Sequence, residues 1–372
     1  MIKVEQRGSG DDTRHWRGKG ESAKWKTSSP ISFYFTAVNR NKRSLTLDLR
    51  KAAARQIIYD LAKTSDVFVQ NFIPGKPEEL GLGYEQLSKV NPRIIYASIS
   101  GYGASGPYSK RAGYDAIAAA EGGLMHITGE THGTPIRPGL GMVDMSTGLY
   151  AHGAILAALR AREITGRGQN IDASLLETML SLLTNVGSTW LNMGVEGQRF
   201  GAAHPSIVPY NTYKTKDGYF ALGANNEKQW KVLCERINRM DLYEDPSFKT
   251  NPLRVENRTV VDNVMSEITS QKTNAEWLEL LDGSGLACGP VNSIQNALEH
   301  PQAKARDMVQ AKPTDTLGSA PLNMIGPAVK FSETKASIRE RAPLLGEHTA
   351  EVLREIGRSD LEIQELSRNE VI

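Results

Sequence analysis

The sequence lacks the features that mark several special classes of protein. Its 372 residues include two cysteines, Cys234 and Cys288, which are too few for a disulfide framework or a cysteine-rich metal site. No apolar run approaches the roughly 18 to 20 residues of a membrane span. The formal net charge of +2 gives no reason to expect a nucleic acid as the main partner. We therefore expect a soluble enzyme of small molecules, with no membrane or nucleic acid among its partners.

Signatures of common cofactors are also scarce. We find no GxxxxGK[ST] motif and expect no dinucleotide-binding fingerprint, so ATP and NAD have little support. The histidines are not grouped with carboxylates or thiolates at the spacing of metal ligands, and we expect no metal.

At 40% hydrophobic residues, the chain can bury a sizeable core and form two domains.

Apolar segments alternate with helical patterns in the first part of the chain. Strands are predicted at 45–49, 67–69 and 94–98, and helices near 51–64 and 84–90. This alternation predicts βαβ units and a parallel sheet. Ligands of such sheets bind at the loops that follow the strands, here 71–75 and 100–103.

The later part of the chain changes character. A long helix is predicted at 174–193, and two strands, 210–213 and 219–222, flank a turn at 216–218. Helical patterns follow near 226–237, 256–269 and 274–282, which is typical of an α+β domain. We predict an α/β fold with a Rossmann-like parallel-sheet domain at 1–195 and a smaller α+β domain at 208–300. A linker is expected at 301–341, before a C-terminal segment at 342–372. Within the linker, 311–327 is predicted to be a connection rather than a domain.

One acid, Asp144, stands between a loop and a helix. Residues 137–141 are rich in Gly and Pro and predict a loop, and Ser146 or Thr147 is predicted to cap the helix that follows. A carboxylate just before a helix start lies near backbone N–H groups and the positive end of the helix dipole, which favour its ionised form. Asp144 is therefore a candidate nucleophile, although its local pattern is equally that of a cap or a turn acid.

Several motifs together resemble one family. In order they are RGSGDDTR (7–14), NRNKRSLTLDL (39–49), VQNFIPG (69–75), SISGYGASGPY (98–108), TGRGQ (165–169), GPVNS (289–293) and APLLGEHT (342–349). With the segment around Asp144, they resemble the class III CoA-transferases, the formyl-CoA transferase family. The whole chain is most similar to the members that move CoA between succinyl-CoA and glutarate or hydroxymethylglutarate.

This resemblance implies a mechanism and a set of ligand contacts. Asp144 would form acyl-anhydride and CoA-thioester intermediates, with acyl-CoA and a carboxylic acid as substrates and no tightly bound cofactor. The implied contacts with CoA are Leu47, Arg50, Asn71, Phe72, Ile73, Ala112, Tyr114 and Asp115. Gln6 and Glu79 stand where formyl-CoA transferase has arginines, and Arg7, Lys42, Arg43 or Lys76 are candidates to replace them.

The resemblance also implies assembly and location. Family members form homodimers of two interlocked rings, with the C-terminal segment returning to the first domain. A mitochondrial location is implied for a eukaryotic chain and a cytoplasmic one otherwise, with no targeting segment in this chain. In the family, a strand and a Gly-containing helix precede the segment that opens this chain. We expect this first unit of the sheet to be encoded upstream of Met1.

Two other functions remain open from the sequence. The α-methylacyl-CoA racemases resemble this chain but carry His in a Gly-His-Asp triplet. Here the triplet is Gly113-Tyr114-Asp115, and a tyrosine with a pKa near 10 is a poor base at neutral pH. A CoA-binding protein without activity is the non-enzymatic alternative.

Overall fold

The computed structural model describes residues 1–318 and 320–372. Its strands are β1 (Ile2–Glu5), β2 (Arg43–Thr46), β3 (Val67–Gln70), β4 (Ile95–Ser100), β5 (Gln169–Ser174), β6 (Tyr210–Lys214), β7 (Tyr219–Gly223), β8 (Ala287–Pro290), β9 (Val309–Lys312) and β10 (Leu322–Ile325). Short 3-10 helices lie at Asp12–Arg14, Glu21–Lys24 and Pro246–Phe248.

The α-helices follow the same order along the chain. They are α1 (Phe33–Val38), α2 (Ala52–Thr64), α3 (Lys76–Glu79), α4 (Tyr84–Val90), α5 (Asp115–Glu121), α6 (Leu124–Ile127), α7 (Met142–Thr165), α8 (Leu175–Leu182), α9 (Thr184–Met193), α10 (Glu227–Arg236), α11 (Met240–Glu244), α12 (Asn251–Glu256), α13 (Arg258–Thr269), α14 (Asn274–Leu281), α15 (Ile294–Glu299), α16 (Pro301–Ala305), α17 (Thr349–Glu355) and α18 (Asp360–Arg368).

The predicted α/β class with parallel strands is confirmed. β1 pairs with β2, and β3, β4 and β5 form a three-stranded sheet, with every neighbouring pair parallel. In the second sheet β4 lies between β3 and β5. Parallel strands end at the same edge, so the loops after β3 and β4 leave their sheet together.

The chain divides into two compact units. The first contains Met1–Ala112, Thr147–Ser174 and Ile294–Ile372, and the second contains Gly113–Ser146 and Leu175–Ser293. The predicted C-terminal segment, 342–372, falls in the first unit, and most of the predicted small domain falls in the second. The exact ranges predicted for the domains stay a prediction.

The first unit is organised around an apolar core shared by helices and strands. Buried members include Leu45, Leu47, Ala54, Ile57, Ile58, Leu82, Leu87, Ile94, Tyr96, Val352, Leu353 and Ile363. The core thus joins β2, α2, α4 and the region of β4 to helices α17 and α18. The last thirty or so residues are therefore an integral part of this unit rather than a loose tail.

A buried ion pair ties the two ends of the first unit together. The Arg14 guanidinium donates to Glu5 Oε1 at 2.8 Å and to Oε2 at 2.7 Å, with both side chains almost fully buried. Its remaining nitrogen Nη1 donates to the carbonyls of Pro30 and Pro343 at 3.1 Å, and Ser44 Oγ donates to Glu5 at 2.7 Å. Burial alone would raise the pKa of Glu5, but the bonds from Arg14 and Ser44 outweigh it and hold that pKa below its usual value.

The second unit contains an antiparallel sheet and two apolar clusters. β7 pairs with β6 on one side and β8 on the other, which confirms the predicted hairpin around 216–218. Phe220 of β7 belongs to a buried cluster that also contains Trp230, Met265 and Trp277 from helices α10, α13 and α14. A second cluster joins Val143 of α7 to Ala118 and Ala119 of α5 and to Leu175 and Met179 of α8.

Two predicted elements differ from the structure. The single helix expected at 174–193 is wrong, because Ser174 ends β5 and a positive φ of 40° at Thr184 separates α8 from α9. The segment 311–327, expected as a connection rather than a domain, contains β10 and the end of β9, which pair antiparallel and were not predicted. Leu322 and Met324 of β10 are buried with Trp25 and Phe35, so this segment adds its own layer to the first unit. Within the described ranges, the helices include none with the length and apolar character that crossing a bilayer requires.

The Arg14→Met variant tests the buried pair. It should lower the free energy of unfolding by about 3–5 kcal/mol, because Glu5 would remain buried without its cation. Lys3→Met is the matched control. Lys3 lies in the same strand as Glu5 and pairs with Asp11 at 2.6 Å in a partly exposed position. Its loss should lower the free energy of unfolding by less than about 1 kcal/mol. Urea unfolding followed by circular dichroism measures both, and equal losses would contradict this assignment.

The stability of the wild-type protein should also depend on pH because of this pair. Because the folded pKa of Glu5 is lowered, its contribution to stability is present above the unfolded pKa and disappears as the pH falls through the folded pKa. The Arg14→Met variant should therefore lose less stability on acidification than the wild type.

Candidate active site

Asp144 lies inside the first turn of α7, not before it. The helix begins at Met142 and runs for 24 residues, so the predicted caps Ser146 and Thr147 are helical and that prediction is wrong. Asp144 is the third helical residue and is exposed at the surface of the second unit. It remains near the positive end of the helix dipole, as expected.

The cap of α7 comes from another helix. Residue 141, which precedes the helix, is a glycine and has no side chain to accept hydrogen bonds. Asp115, the first residue of α5, fills that role: its Oδ1 accepts the N–H of Val143 at 2.8 Å and the N–H of Asp144 at 3.2 Å. These are donors that the start of a helix leaves without intrahelical partners. A buried carboxylate therefore holds the backbone of the candidate nucleophile.

The charges around Asp144 oppose each other. Partial burial raises the pKa of Asp144, the negative charge of Asp115 raises it further, and the Arg137 guanidinium lowers it. The net direction of these three effects is upward. The expectation that the helix start keeps Asp144 ionised at neutral pH stays a prediction. Arg137 Nη2 lies 3.8 Å from Asp115 Oδ2. The site thus contains a pair of carboxylates with Arg137 beside them.

The space beside the two carboxylates is left open by Gly141. A β-carbon at this position would lie 3.7 Å from both Asp115 Oδ1 and Asp144 Oδ2. Both carboxylates therefore lie close to residue 141. Tyr114, the residue before Asp115, is 70% exposed and occupies the position just before α5.

The loops predicted to contact CoA belong to the first unit. Asn71, Phe72 and Ile73 follow β3 directly and are all exposed. Gln70 orders this loop: its Oε1 accepts the N–H of Phe72 at 2.7 Å, while its Nε2 donates to Ser98 Oγ on β4 at 2.8 Å. The structure thus brings these three predicted residues together at one sheet edge.

The neighbouring loop after β4 is also ordered. Asp172 Oδ2 on β5 accepts the N–H of Ala104 at 2.9 Å. Gly101, Gly103 and Gly106 have the spacing of a GxGxxG motif, but the next helix does not begin until Asp115. The dinucleotide-binding arrangement, in which such glycines open a helix against the phosphates, is therefore not formed.

Several candidate phosphate ligands of the first unit already have acidic partners, whereas Lys42 donates to Asn39 Oδ1 at 2.9 Å. Arg50 binds both oxygens of Asp48, at 2.8 and 2.9 Å, and this pairing lowers the pKa of Asp48 to about 2. Lys76 pairs with Glu79 at 2.9 Å. Among the other substitutes proposed from the sequence, Arg43 binds Glu351 and Glu355. A phosphate at Arg50, Lys76 or Arg43 would have to exchange with a carboxylate.

The remaining residues predicted to contact CoA differ in whether their side chains are accessible to a ligand. The Leu47 side chain lies in the apolar core and cannot meet a ligand. Ala112 is exposed at the end of a first-unit segment. Tyr114, Asp115 and Asp144 belong to the second unit.

Neither cysteine is suited to nucleophilic chemistry. Burial raises the pKa of the Cys234 thiol to about 12 and also raises that of Cys288, whereas a catalytic thiolate needs a lowered pKa. In the part of the chain that the structure describes, no three His, Cys, Asp or Glu residues are grouped as a metal site would require.

Sequence reasoning missed two parts of the site. It named Arg137 only as part of a loop and gave Asp115 a role in ligand contact, whereas the structure makes Arg137 the cation beside the carboxylates and Asp115 the cap of α7. Asp115 and Val143 are 28 residues apart, and no local pattern links them. The one available signal was the glycine at 141, which leaves a helix start without its own cap.

The comparisons with known proteins agree in naming CoA-transferases. Residues 1–349 match the model of a family described as CoA-transferase family III. An acyl-CoA transferase of Fusarium pseudograminearum is 54% identical over 358 residues, which cover 96% of this chain and 78% of that protein. The succinyl-CoA:glutarate CoA-transferase of Mus musculus is 44% identical over 360 residues, covering 97% and 80%.

A solved structure shows the same architecture. A CAIB/BAIF family protein from Brucella suis superposes with a TM-score of 0.82 at 36% identity, covering 95% of this chain and 91% of the other. The likeness therefore extends over both units.

Replacing Arg137 by glutamine should raise the pKa of Asp144, because the guanidinium is the group that lowers it. The measurement is a ¹³C NMR titration of protein labelled at the aspartate carboxyls, with the Asp144 signal assigned by its absence from Asp144→Asn. Lys228→Gln, which removes an exposed cation of α10, is the control and should leave the midpoint unchanged. A midpoint that falls or stays fixed in Arg137→Gln would refute this account of the site's charges.

Proposed function

The chain belongs to CoA-transferase family III, and from that premise we propose that it transfers CoA from an acyl-CoA to a dicarboxylic acid, with Asp144 as the nucleophile. The observation that carries the assignment of Asp144 is its place in the first turn of α7. There the carboxylate is exposed, its backbone is held by Asp115, and Gly141 leaves room beside it.

The proposed reaction proceeds through two covalent intermediates. An oxygen of Asp144 attacks the donor thioester carbonyl, and the C–S bond breaks to give an aspartyl-acyl anhydride and CoA thiolate. The thiolate attacks the aspartyl carbonyl and releases the donor acid, leaving an aspartyl-CoA thioester. The acceptor carboxylate attacks this thioester, and the same steps in reverse release the new acyl-CoA and free Asp144. The covalent carboxylate preserves the reactivity of the thioester during the exchange.

The residues around Asp144 suit this sequence of steps. The nucleophile must be ionised to attack, and Arg137 favours that form, while burial and Asp115 oppose it. A carboxylate with a raised pKa is more basic, and so it forms the bond to the acyl carbon more readily once it is ionised. Arg137 would also offset the negative charge that each incoming carboxylate brings to the site.

We propose that CoA meets the first unit at the loop after β3. Phe72 is 39% exposed there and offers a face for the adenine or the pantetheine. Arg50 and Lys76 are the candidate phosphate ligands, each exchanging a surface carboxylate for a phosphate oxygen. Leu47 would contribute through its backbone alone, and Ala112 and Tyr114 remain proposed contacts by resemblance.

The proposed acids are dicarboxylic, with succinyl-CoA as donor and a glutarate-like acceptor. The name of the mouse relative supports this pair. A mitochondrial location would suit it and stays a prediction from the resemblance.

The racemase hypothesis is not favoured. It requires a base in the place of Tyr114, and that residue is a largely exposed tyrosine, whereas the relatives are named as CoA-transferases. An inactive CoA-binding protein is likewise not favoured by family membership, and a measurement of exchange distinguishes it directly.

We further propose that the chain acts as a homodimer in which a second copy covers α7. Met145, Leu149, Leu156 and Ile164 lie along one side of this helix and are exposed, Leu149 by 70%. Gly148 and Gly153 lie among them, and a β-carbon at either would meet nothing within 4 Å. An apolar stripe with small residues and open space suits close packing against a partner.

The Asp144→Asn variant should lose exchange by about a thousandfold or more, since an amide cannot form the anhydride. Exchange of labelled succinate into succinyl-CoA measures it, and hydroxylamine trapping in the presence of acyl-CoA should convert Asp144 of the wild type to a hydroxamate. Cys288→Ser is the matched control and should retain nearly full exchange. Activity in Asp144→Asn, or trapping at another residue, would refute the mechanism.

Leu149→Glu tests the dimer. It should weaken association by about a hundredfold or more, because the interface would have to bury an unpaired carboxylate. Sedimentation velocity over a range of protein concentrations measures the shift to monomers. Val260→Glu, at an exposed apolar position on α13, should leave the dimer intact, and a wild type that sediments as a monomer would overturn the proposal.

A further inference from the structure

Asp115 has two effects on Asp144 that act through different physical properties. Its oxygen Oδ1 accepts hydrogen bonds from the backbone of Val143 and Asp144, which requires an acceptor atom but no charge. Its negative charge repels the carboxylate of Asp144, which requires the charge and not the bonds. A substitution that separates these two properties can therefore separate the two effects.

The geometry makes Asp115 difficult to replace from within α7. Residue 141 has no side chain, and Asp115 supplies the acceptor for the second and third N–H groups of the helix. Asp115 is 8% exposed, so the charge of its carboxylate is poorly screened by water. Arg137, at 3.8 Å, is more than half exposed and compensates it only in part.

We propose that Asp115 is the positioning residue of the nucleophile: its carboxylate fixes the first turn of α7, and its charge sets the pH range in which Asp144 can attack. This role deepens the proposed CoA transfer and rests on it. It differs from the ligand contact implied by the resemblance, because Asp115 here acts through Asp144 and need not touch CoA.

Other charged groups near this helix start are few in the described part of the second unit. Helices α5, α6 and α8 pack around Val143, and besides Asp115 they carry Glu121, His126 and Glu177. Glu121 and Glu177 have interactions of their own, and His126 lies 3.6 Å from Glu196. The charged groups that act on Asp144 are Asp115 and Arg137.

The Asp115→Asn variant removes the charge and keeps an oxygen that can accept both N–H bonds. The acid limb of the pH profile of kcat/KM should therefore shift to lower pH, because Asp144 would ionise more easily. The rate on the plateau should fall only slightly, because the less basic carboxylate is a somewhat weaker nucleophile. Asp115→Ala removes both properties. It should shift the limb in the same direction and also lower the plateau by about tenfold to a hundredfold, since the nucleophile loses its fixed position.

A second substitution tests the cap by rescue. Gly141→Ser in the Asp115→Ala background gives α7 a residue that commonly caps helices, and its β-carbon would make only ordinary contacts. The double variant should reverse the decrease in melting temperature that Asp115→Ala causes, but the pKa of Asp144 should stay lowered. Glu121→Gln, which removes a carboxylate from the same helix, is the control and should change neither.

A titration that needs no turnover separates this inference from the proposed function. The ¹³C midpoint of Asp144 should fall in Asp115→Asn whether or not the protein transfers CoA. If the wild type exchanges no CoA but the midpoint falls, the proposed function fails and the charge coupling stands. If exchange occurs but the midpoint and the acid limb are unchanged in Asp115→Asn, or if Asp115→Ala matches the wild type, the positioning role is wrong.

Discussion

The buried pair of Glu5 and Arg14 connects several separate segments of the first unit. Arg14 is fully enclosed, stacks 3.8 Å from the ring centroid of Phe35 and reaches carbonyls at Pro30 and Pro343. The same Glu5 carboxylate accepts from Ser44, whose oxygen in turn accepts the N–H of Gly346. One ionic contact thus connects β1, β2, the segment before α1 and the approach to α17. Since the charges are buried, each partner requires the other.

Charge pairing takes a different form at the surface of the first unit. There the cations that could meet phosphates are held by carboxylates from nearby positions: Arg50 by Asp48 and Lys76 by Glu79. Exposed pairs of this kind contribute little to stability. Exchanging one anion for another should therefore be easy, and the surface can hold its cations in place without a bound ligand. The contrast between a fixed buried pair and exchangeable exposed pairs separates the scaffold from the proposed binding edge.

The sequence predicted the features that arise from local patterns. Apolar runs predicted the strands β3 and β4, and the turn at 216–218 predicted the β6–β7 hairpin, with boundaries close to those observed. The strand predicted at 45–49 overlaps β2 only at the last two residues of β2. The motifs gave the family, which the family model confirms over residues 1–349. Asp144 was named as the nucleophile from the resemblance and its loop–helix setting, and that role stays a prediction.

The failures came from contacts between distant residues. The start of α7 was misplaced because its cap, Asp115, lies in an earlier segment. The local sequence likewise could not show that burial and a second carboxylate raise the pKa of Asp144. The break at Thr184 depends on a positive φ that its residue type does not suggest. The set of residues that contact CoA also stays a prediction, because the predicted contacts belong to both units.

The cap on α7 has a consequence for the order in which the chain can complete its parts. The contact between Asp115 and Val143 closes a segment of 28 residues, whereas the contact between Arg14 and Pro343 closes one of 329. By the logarithmic dependence of loop closure on length, the longer closure costs roughly 2 kcal/mol more in chain entropy when made directly from an unfolded chain. During synthesis, moreover, residue 343 emerges about two hundred residues after Asp144. The helix turn that contains Asp144 can thus form from neighbouring segments before the first unit completes its contacts with residue 343.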